Sequence, residues 1–411
     1  MQEVNLSPHA LENCQKCAIC NTVCPMMQAN PDYPGPKQAG PDGERYRMIS
    51  PEYYDYALKY CLNCKRCEVA CPSGVKVADM IASAKLRYGS QTRPLRDTML
   101  ASTDLVGTMA SAFAPIANGA LGLDPVKAVM DSALGVDKRR TFPKYDGQTF
   151  MKSFNPSLQK QFTKFVSYFH GCYANYNYPV LAKELVRVVN ACGYGVHVFK
   201  GEKCCGVALM ANNMAEKARA NARKNIACFE KAVENCEPIL TSGSSCTLMM
   251  REEYPDVLGI DAPEVLGSVT MMTKWLYEKV ESGEVKLVFK PGFRMKASYH
   301  TACHMQRLGW QLYSIGLMKM IPGLELTVLD QNCCGISGTF GFKKENYDLS
   351  MKIGSTLFED IRTSNPEVVI TDCETCKWQI EHATEIPVMN PISVLSKALD
   401  IRETYEANRT K

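Results

Sequence analysis

Apolar positions fall at helical spacing in two N-terminal stretches, Tyr53 to Tyr60 and Val77 to Tyr88, which predicts a helical unit ending near residue 90. Leu105 to Leu123 then runs 19 residues without a charge, but Thr108, Ser111, Pro115, Asn118 and three glycines make it a poor spanning helix. A surface-lying or hairpin insertion is expected there, followed by an apolar stripe of Val126, Val129, Met130, Ala133 and Leu134 at helical spacing. Beyond residue 164 the period changes. Short strand-like runs, "FVSYFHG", "VHVFK" and "PILTSG", alternate with amphipathic helical runs, "YPVLAKELVRVVNAC" and "AEKARANARKNIACFEKAV". The same order returns with "RMKASYHT", "LELTVLD" and "EVVITD" around "LYSIGLMKMI" and "YDLSMKIGSTLFEDI". Such alternation predicts parallel sheets, whose sites gather beyond the carboxyl ends of the strands. The fold class is thus α plus α/β: a helical domain at 1–90, a connecting segment at 91–145, and two α/β units at 146–290 and 291–411.

Length supports several domains, since 411 residues exceed what one core usually holds. A net charge of +4 is too mild for a nucleic-acid partner, and none is expected. Twenty cysteines change the picture more. The first 25 residues have no apolar run after a basic start, so a reducing compartment is expected, where clustered cysteines are metal ligands more often than disulfides.

Two twelve-residue runs share one grammar: Cys14, Cys17, Cys20, Cys24, Pro25 and Cys61, Cys64, Cys67, Cys71, Pro72. This is the bacterial-ferredoxin spacing for cubane [4Fe-4S] clusters, in which three thiolates hold one cube and the fourth serves the other. Cys14, Cys17, Cys20 and Cys71 are assigned to one cluster, and Cys61, Cys64, Cys67 and Cys24 to a second. Zinc sites or a redox dithiol are the competing readings, but zinc favours two separated CxxC pairs.

A larger repeat follows. Cys172, Cys204, Cys205 and Cys246 recur as Cys303, Cys333, Cys334 and Cys376 at offsets of 131, 129, 129 and 130, and His170 recurs as His300. The adjacent cysteines followed by Gly206 or Gly335 suit a larger or irregular cluster better than one ion, because glycine lets backbone approach an inorganic core. The second unit adds Cys373 in "CETC", where the first reads "GSSC" with Gly243 at the matching place. Five thiolates stand against four, so the first unit could hold a cluster, zinc or another single ion, or nothing. Cys192, Cys228 and Cys236 have no counterparts, Cys228 reading as a small buried apolar residue. His170 and His300 suit a hydrogen bond as well as ligation, and His304 suits a proton.

Arg93, Arg96, the "DKRR" run and Lys144 flank the uncharged middle, as cations flank a segment lying on anionic lipid; a helical hairpin packed on another subunit or on the sheet is the alternative. No GxGxxG site for flavin or nicotinamide occurs, so a chain of one-electron centres must draw on a partner.

Two such runs followed by two CCG modules resemble the iron-sulfur subunits related to heterodisulfide reductase. "NPDYPGPKQAGPDGERYR", "DLVGTMASAFAPIAN", "PGLELTVLDQNCCGISGTFGFKKENY" and "TDCETCKWQIE" further resemble the C subunits of anaerobic glycerol-3-phosphate dehydrogenases. That resemblance implies a complex with a flavin-containing catalytic subunit and a second subunit, electron flow from sn-glycerol 3-phosphate to menaquinone, and a peripheral place on the cytoplasmic side of the inner membrane. It also implies a noncubane [4Fe-4S] cluster on Cys303, Cys333, Cys334, Cys373 and Cys376. A disulfide-reducing catalytic subunit, or the iron-sulfur subunit of a lactate or glycolate oxidase, are the alternative functions.

Overall fold

The computed structural model describes residues 9–89 and 94–409, so Arg93 lies outside the described residues. The N-terminal region is all-helical, with short helices Ile19–Thr22, Pro25–Ala29, Gly43–Ile49 and Arg66–Val69 closed by Val77–Tyr88. That last helix buries Val77, Ala78, Met80, Ile81 and Ala84, the face its apolar spacing foretold. Cys333 and Ile353 of the C-terminal unit join the same core, so this domain is seated on its neighbour.

Each α/β unit is a four-stranded parallel sheet. The first comprises β1 (Lys164–Phe169), β2 (Tyr194–Val198), β3 (Ile239–Thr241) and β4 (Val269–Met271), in the order β2-β1-β3-β4. The second comprises β5 (Met295–Tyr299), β6 (Leu324–Val328), β7 (Val368–Ile370) and β8 (Val388–Met389), in the order β6-β5-β7-β8. Registers correspond: Ser167 faces His197 and Ile239, while Ser298 faces Thr327 and Val369. The central strands read as continuous apolar runs because helices cover both faces of a parallel sheet. Val166, Tyr168, Val369 and Ile370 are fully buried. The edge strands β4 and β8, three and two residues long, were not foreseen. One core spans both units, joining Val166, Tyr168 and Leu185 to Tyr299, Ile370 and Leu395, with helix Pro391–Ala398 packed on helix Pro179–Ala191.

The uncharged middle forms helices Thr103–Ala112 and Ala114–Gly122, bent by 104° at Phe113. Among the described residues no single helix is long and apolar enough to cross a membrane. Leu105, Met109, Phe113 and Ile116 point outward, each 62% to 72% exposed. Two members of the expected belt of flanking cations, Arg96 and Arg140, are corrected. Arg96 forms a two-pronged pair with Glu345 at 2.8 and 2.9 Å, and Arg139 pairs with Asp137 and Asp348. Arg140 is buried and donates to the Gly341 carbonyl and Gln379 Oε1 at 2.5 Å. Arg96 and Arg140 are drawn inward because the chain at 135–142 threads among loops of the second unit, whose buried acceptors need donors. Lys138, Arg139 and Lys144 keep their exposure.

A buried ionic knot ties the regions together. Lys65 pairs with Asp79 and lies 3.2 Å from Glu253 of the first unit, and Asn63 donates to Glu253 at 2.6 Å. Arg307 of the second unit reaches Glu252 at 2.8 Å and Glu68 at 3.5 Å.

Candidate metal centres

Both short cysteine loops bend alike. Lys16 (φ 56°) and Ala18 (φ 63°) are matched by Asn63 (φ 53°) and Lys65 (φ 62°), non-glycine residues in the left-handed region that only a specified loop retains. Such turns make concave rows of amides suited to anionic cores. The Asn63 N–H points at Cys61 Sγ at 3.4 Å, and the Val75 N–H at Cys71 Sγ at 3.4 Å. Pro25 opens helix Pro25–Ala29, carrying the chain away after Cys24.

The thiols sort into two groups. Burial raises the Cys20 pKa to about 11, reinforced by Cys14, Cys17 and Cys71. Burial raises Cys24 to about 12, with Cys64 and Cys61 as its charged neighbours, and Cys67 faces Cys64, Cys61 and Cys24. The fourth cysteine of each run therefore stands with the other run.

In the second α/β unit, Cys303 begins helix Cys303–Leu308 beyond β5, the pair Cys333-Cys334 follows β6, and Cys373 precedes helix Glu374–Thr384 beyond β7. Sγ atoms of Cys303 and Cys333 are 3.9 Å apart, and those of Cys334 and Cys376 3.4 Å. Cys373 accepts the Cys376 N–H at 3.4 Å and is brought down to about 5 by the Cys376 thiol. In the first unit Cys172 touches Cys204, Cys204 touches Cys205, and Cys205 touches Cys246. Like neighbours and burial hold Cys172 and Cys205 far above the ordinary thiol range. Thiols packed this tightly cannot ionise together unless a cationic core compensates them, and soft sulfur donors suit iron-sulfur clusters. All twenty cysteines are free of disulfides.

The sites adjoin. Cys64 of the N-terminal domain is hydrogen-bonded to Cys303 and brought down to about 6 by it. A cavity of about 1070 Å³ is lined by Cys61 and Cys64, by all four cysteines of the first unit and all five of the second, and by Val106, Ala110, Ala117 and Ala120 of the bent helices. His304 bridges Ser245 Oγ at 3.0 Å and the Asn63 carbonyl at 3.2 Å.

The two histidines singled out in the sequence differ, and one further participant, Asp104, escaped the sequence reading. His300 is wholly buried with neither ring nitrogen bonded, and its ring lies within 4.8 Å of the Cys334 and Cys376 sulfurs. Its counterpart His170 is engaged by Glu202 at 3.0 Å. Asp104 accepts the Cys204 N–H at 2.8 Å, and burial raises its carboxyl to about 6. Standing just before the uncharged run, Asp104 carried a positional signal; no spacing rule pairs it with a cysteine a hundred residues on. Of the unmatched cysteines, Cys192 is buried and Cys236 exposed. Cys228 is only half-buried, its thiol 3.8 Å from the Lys200 carbonyl, which corrects its reading as a buried apolar residue.

Two family profiles match the chain: a 4Fe-4S dicluster domain at residues 10–75, and a cysteine-rich domain, CCG, at 166–251 and 297–381. The chain is 49% identical over 393 residues to the C subunit of the anaerobic glycerol-3-phosphate dehydrogenase of Escherichia coli K12, covering 95% of this chain and 99% of that one. It is 25% identical over 406 residues to the glycolate oxidase iron-sulfur subunit of the same organism, covering 95% and 94%. It is also 26% identical over 289 residues to the D subunit of the dihydromethanophenazine:CoB–CoM heterodisulfide reductase of Methanosarcina barkeri, covering 64% and 68%.

Proposed function

The chain belongs to the C-subunit family of anaerobic glycerol-3-phosphate dehydrogenases, and from that membership we propose that it relays electrons from a flavin-containing subunit oxidising sn-glycerol 3-phosphate to menaquinone. The observation that carries the relay is the Cys64–Cys303 contact, which sets the second ferredoxin-type loop directly against the second CCG module. Cys14, Cys17, Cys20 and Cys71 would hold one cubane cluster, and Cys24, Cys61, Cys64 and Cys67 the other. Cys303, Cys333, Cys334, Cys373 and Cys376 would hold a noncubane [4Fe-4S] cluster, and Cys172, Cys204, Cys205 and Cys246 a further cluster. Bound there, the clusters supply one-electron steps between a two-electron flavin and a two-electron quinone. The chain's own contribution is placement. Exposed Cys17 marks the outer end of the line, and Cys303 joins the cubane pair to the CCG pair. The N–H groups of Asn63, Val75, Gly335 and Cys376 steady the sulfur charge.

The outward apolar residues of the bent helices support a peripheral seat on the cytoplasmic face of the inner membrane, with their inner side roofing the cavity. A further protein of the complex completes the attachment in this reading. The reading is tested by reconstituting the anaerobically purified chain with its flavin-containing partner. Glycerol 3-phosphate should then reduce a menaquinone analogue, and roughly twelve to sixteen iron atoms per chain should be found. A chain that instead cleaves a heterodisulfide with reduced viologen, or that contains no iron, would overturn it.

A further inference from the structure

The two CCG modules meet head to head at the loops that carry their last cysteines. Ser244 donates its N–H and Oγ to the Asp372 carbonyl at 2.9 and 3.0 Å, and Ser245 Oγ is 3.9 Å from Cys373 Sγ. Across this seam, the carboxylate of Glu374 in "CETC" reaches Gly243 of the first module while keeping its own Cys373 as a charged neighbour. A Cβ built on Gly243 would fall 2.6 Å from Glu374 Oε2 and 2.8 Å from its Cδ. Gly243 is the position at which the first module lacks a fifth cysteine, so the carboxylate fills the space where that thiolate would stand. Its charge is felt by Cys246, Tyr168 and Tyr173 of the first module as well as by Cys373 and Asp372 of its own. Its own backbone N–H is a hydrogen-bond partner of the carboxylate, and Glu374 lines the shared cavity.

We infer that Glu374 is a ligand of the first module's cluster, its carboxylate replacing, from the opposite module, the thiolate that Gly243 cannot supply. This rests on the reading that the first module holds a cluster. Four thiolates and one carboxylate match five thiolates in formal charge, so both sites can balance a core of the same charge while differing in donor hardness. The arrangement also explains why Gly243 bears no side chain: any Cβ there would collide with the ligand. Ser244, the counterpart of Glu374, is committed to the Asp372 backbone, so the exchange runs one way only.

Mössbauer spectra and metal analysis of the full chain, enriched in 57Fe and purified anaerobically, test this. Wild type should carry roughly sixteen iron atoms, a minority with the higher isomer shift of oxygen ligation. Glu374→Gln should lose that minority component, with the second-module signal unchanged. The double variant Gly243→Cys with Glu374→Ser should convert it to all-thiolate parameters, and it decides the matter if Glu374→Gln fails to accumulate. An unaltered first-module spectrum in both variants overturns the inference alone. Roughly twelve iron atoms in wild type would overturn the inference together with the first-module cluster.

Discussion

The two CCG modules share strand order, register and the cysteine-pair corner, yet differ at almost every group around the sulfurs. Tyr299 donates to Asp372 Oδ2 at 2.5 Å, where its counterpart Tyr168 donates to Ser242 at 3.4 Å. His300 is unbonded where His170 meets Glu202, and Cys373 stands where Gly243 does. A parallel sheet fixes where loops arrive without fixing what they carry. Sheet geometry is therefore common property, and donor chemistry is individual.

The sharpest way to break this comparison is to remove one cluster at a time. Cys334→Ser and Cys205→Ser should each cost about four iron atoms. With electrons supplied through the flavin-containing partner, Cys205→Ser should still show a reduced second-module signal in electron paramagnetic resonance. Cys334→Ser should leave the first-module signal oxidised, because Cys303 is the sulfur beside Cys64. A first-module signal that reduces normally in Cys334→Ser would refute the serial order.

Next come the corner glycines. An alanine at Gly335 (φ +83°) would drive its Cβ into the Ser350 carbonyl and to 3.1 Å from the Gly354 nitrogen. At Gly206 (φ +98°) the nearest atoms are Ala218 Cβ at 3.4 Å and Met249 Cε at 3.5 Å. Gly335→Ala should cost more than about 4 kcal/mol, and Gly206→Ala about 1–2 kcal/mol from backbone strain alone, read from denaturant melts. Equal losses would mean that the two corners are packed alike.

Smaller again is the histidine pair. His170→Leu should cost about 1–3 kcal/mol by stripping a partner from buried Glu202. His300→Leu breaks no hydrogen bond and should instead alter the second-module spectrum and potential. The reverse pattern would make His170 the group that addresses a cluster.

The smallest effect expected is one of pH. His382 has no counterpart histidine in the first module. Burial and nearby Arg140 lower its pKa, while its ring contacts Tyr347 Oη at 2.9 Å and Thr141 Oγ1 at 3.2 Å. A histidine with a depressed pKa resists protonation in the fold, so its contribution is intact above about pH 6.5 and is lost as pH falls below that value. His382→Asn should flatten the acid side of the stability profile, followed by thermal melts from pH 7 to 5. An unchanged slope would assign that limb to other groups.

The cysteine grammar at 14–25 and 61–72 was legible because cluster ligation demands both a residue type and a spacing. The central strands were legible because a two-sided sheet demands apolar runs, and the edge strands β2 and β6 because short strand-like runs alternate with helical ones. Beyond that, legibility followed chain distance. Strands β4 and β8 run into the starts of helices Met272–Glu281 and Pro391–Ala398, which hides so short a run, and Asp104 and Glu374 meet their sites only after folding has closed long loops. Arg140 misled for a related reason: a guanidinium beside an apolar stripe looks like a lipid contact until the buried Gly341 carbonyl and Gln379 are seen to receive it.

The ionic knot at Lys65 bears on how freely such a chain can be rearranged. Glu253, itself buried, belongs to the first CCG module, while the ammonium beside it arrives from nearly two hundred residues upstream. Lys65→Met would leave that carboxylate uncompensated in a dry interface, a penalty of about 3–5 kcal/mol, and severing the whole N-terminal portion would bare the interface to water. The dicluster portion is thus no portable cassette that could be trimmed off or grafted elsewhere. Truncation would be paid for by the remainder of the chain, and during synthesis this joint can lock only after both CCG modules have emerged.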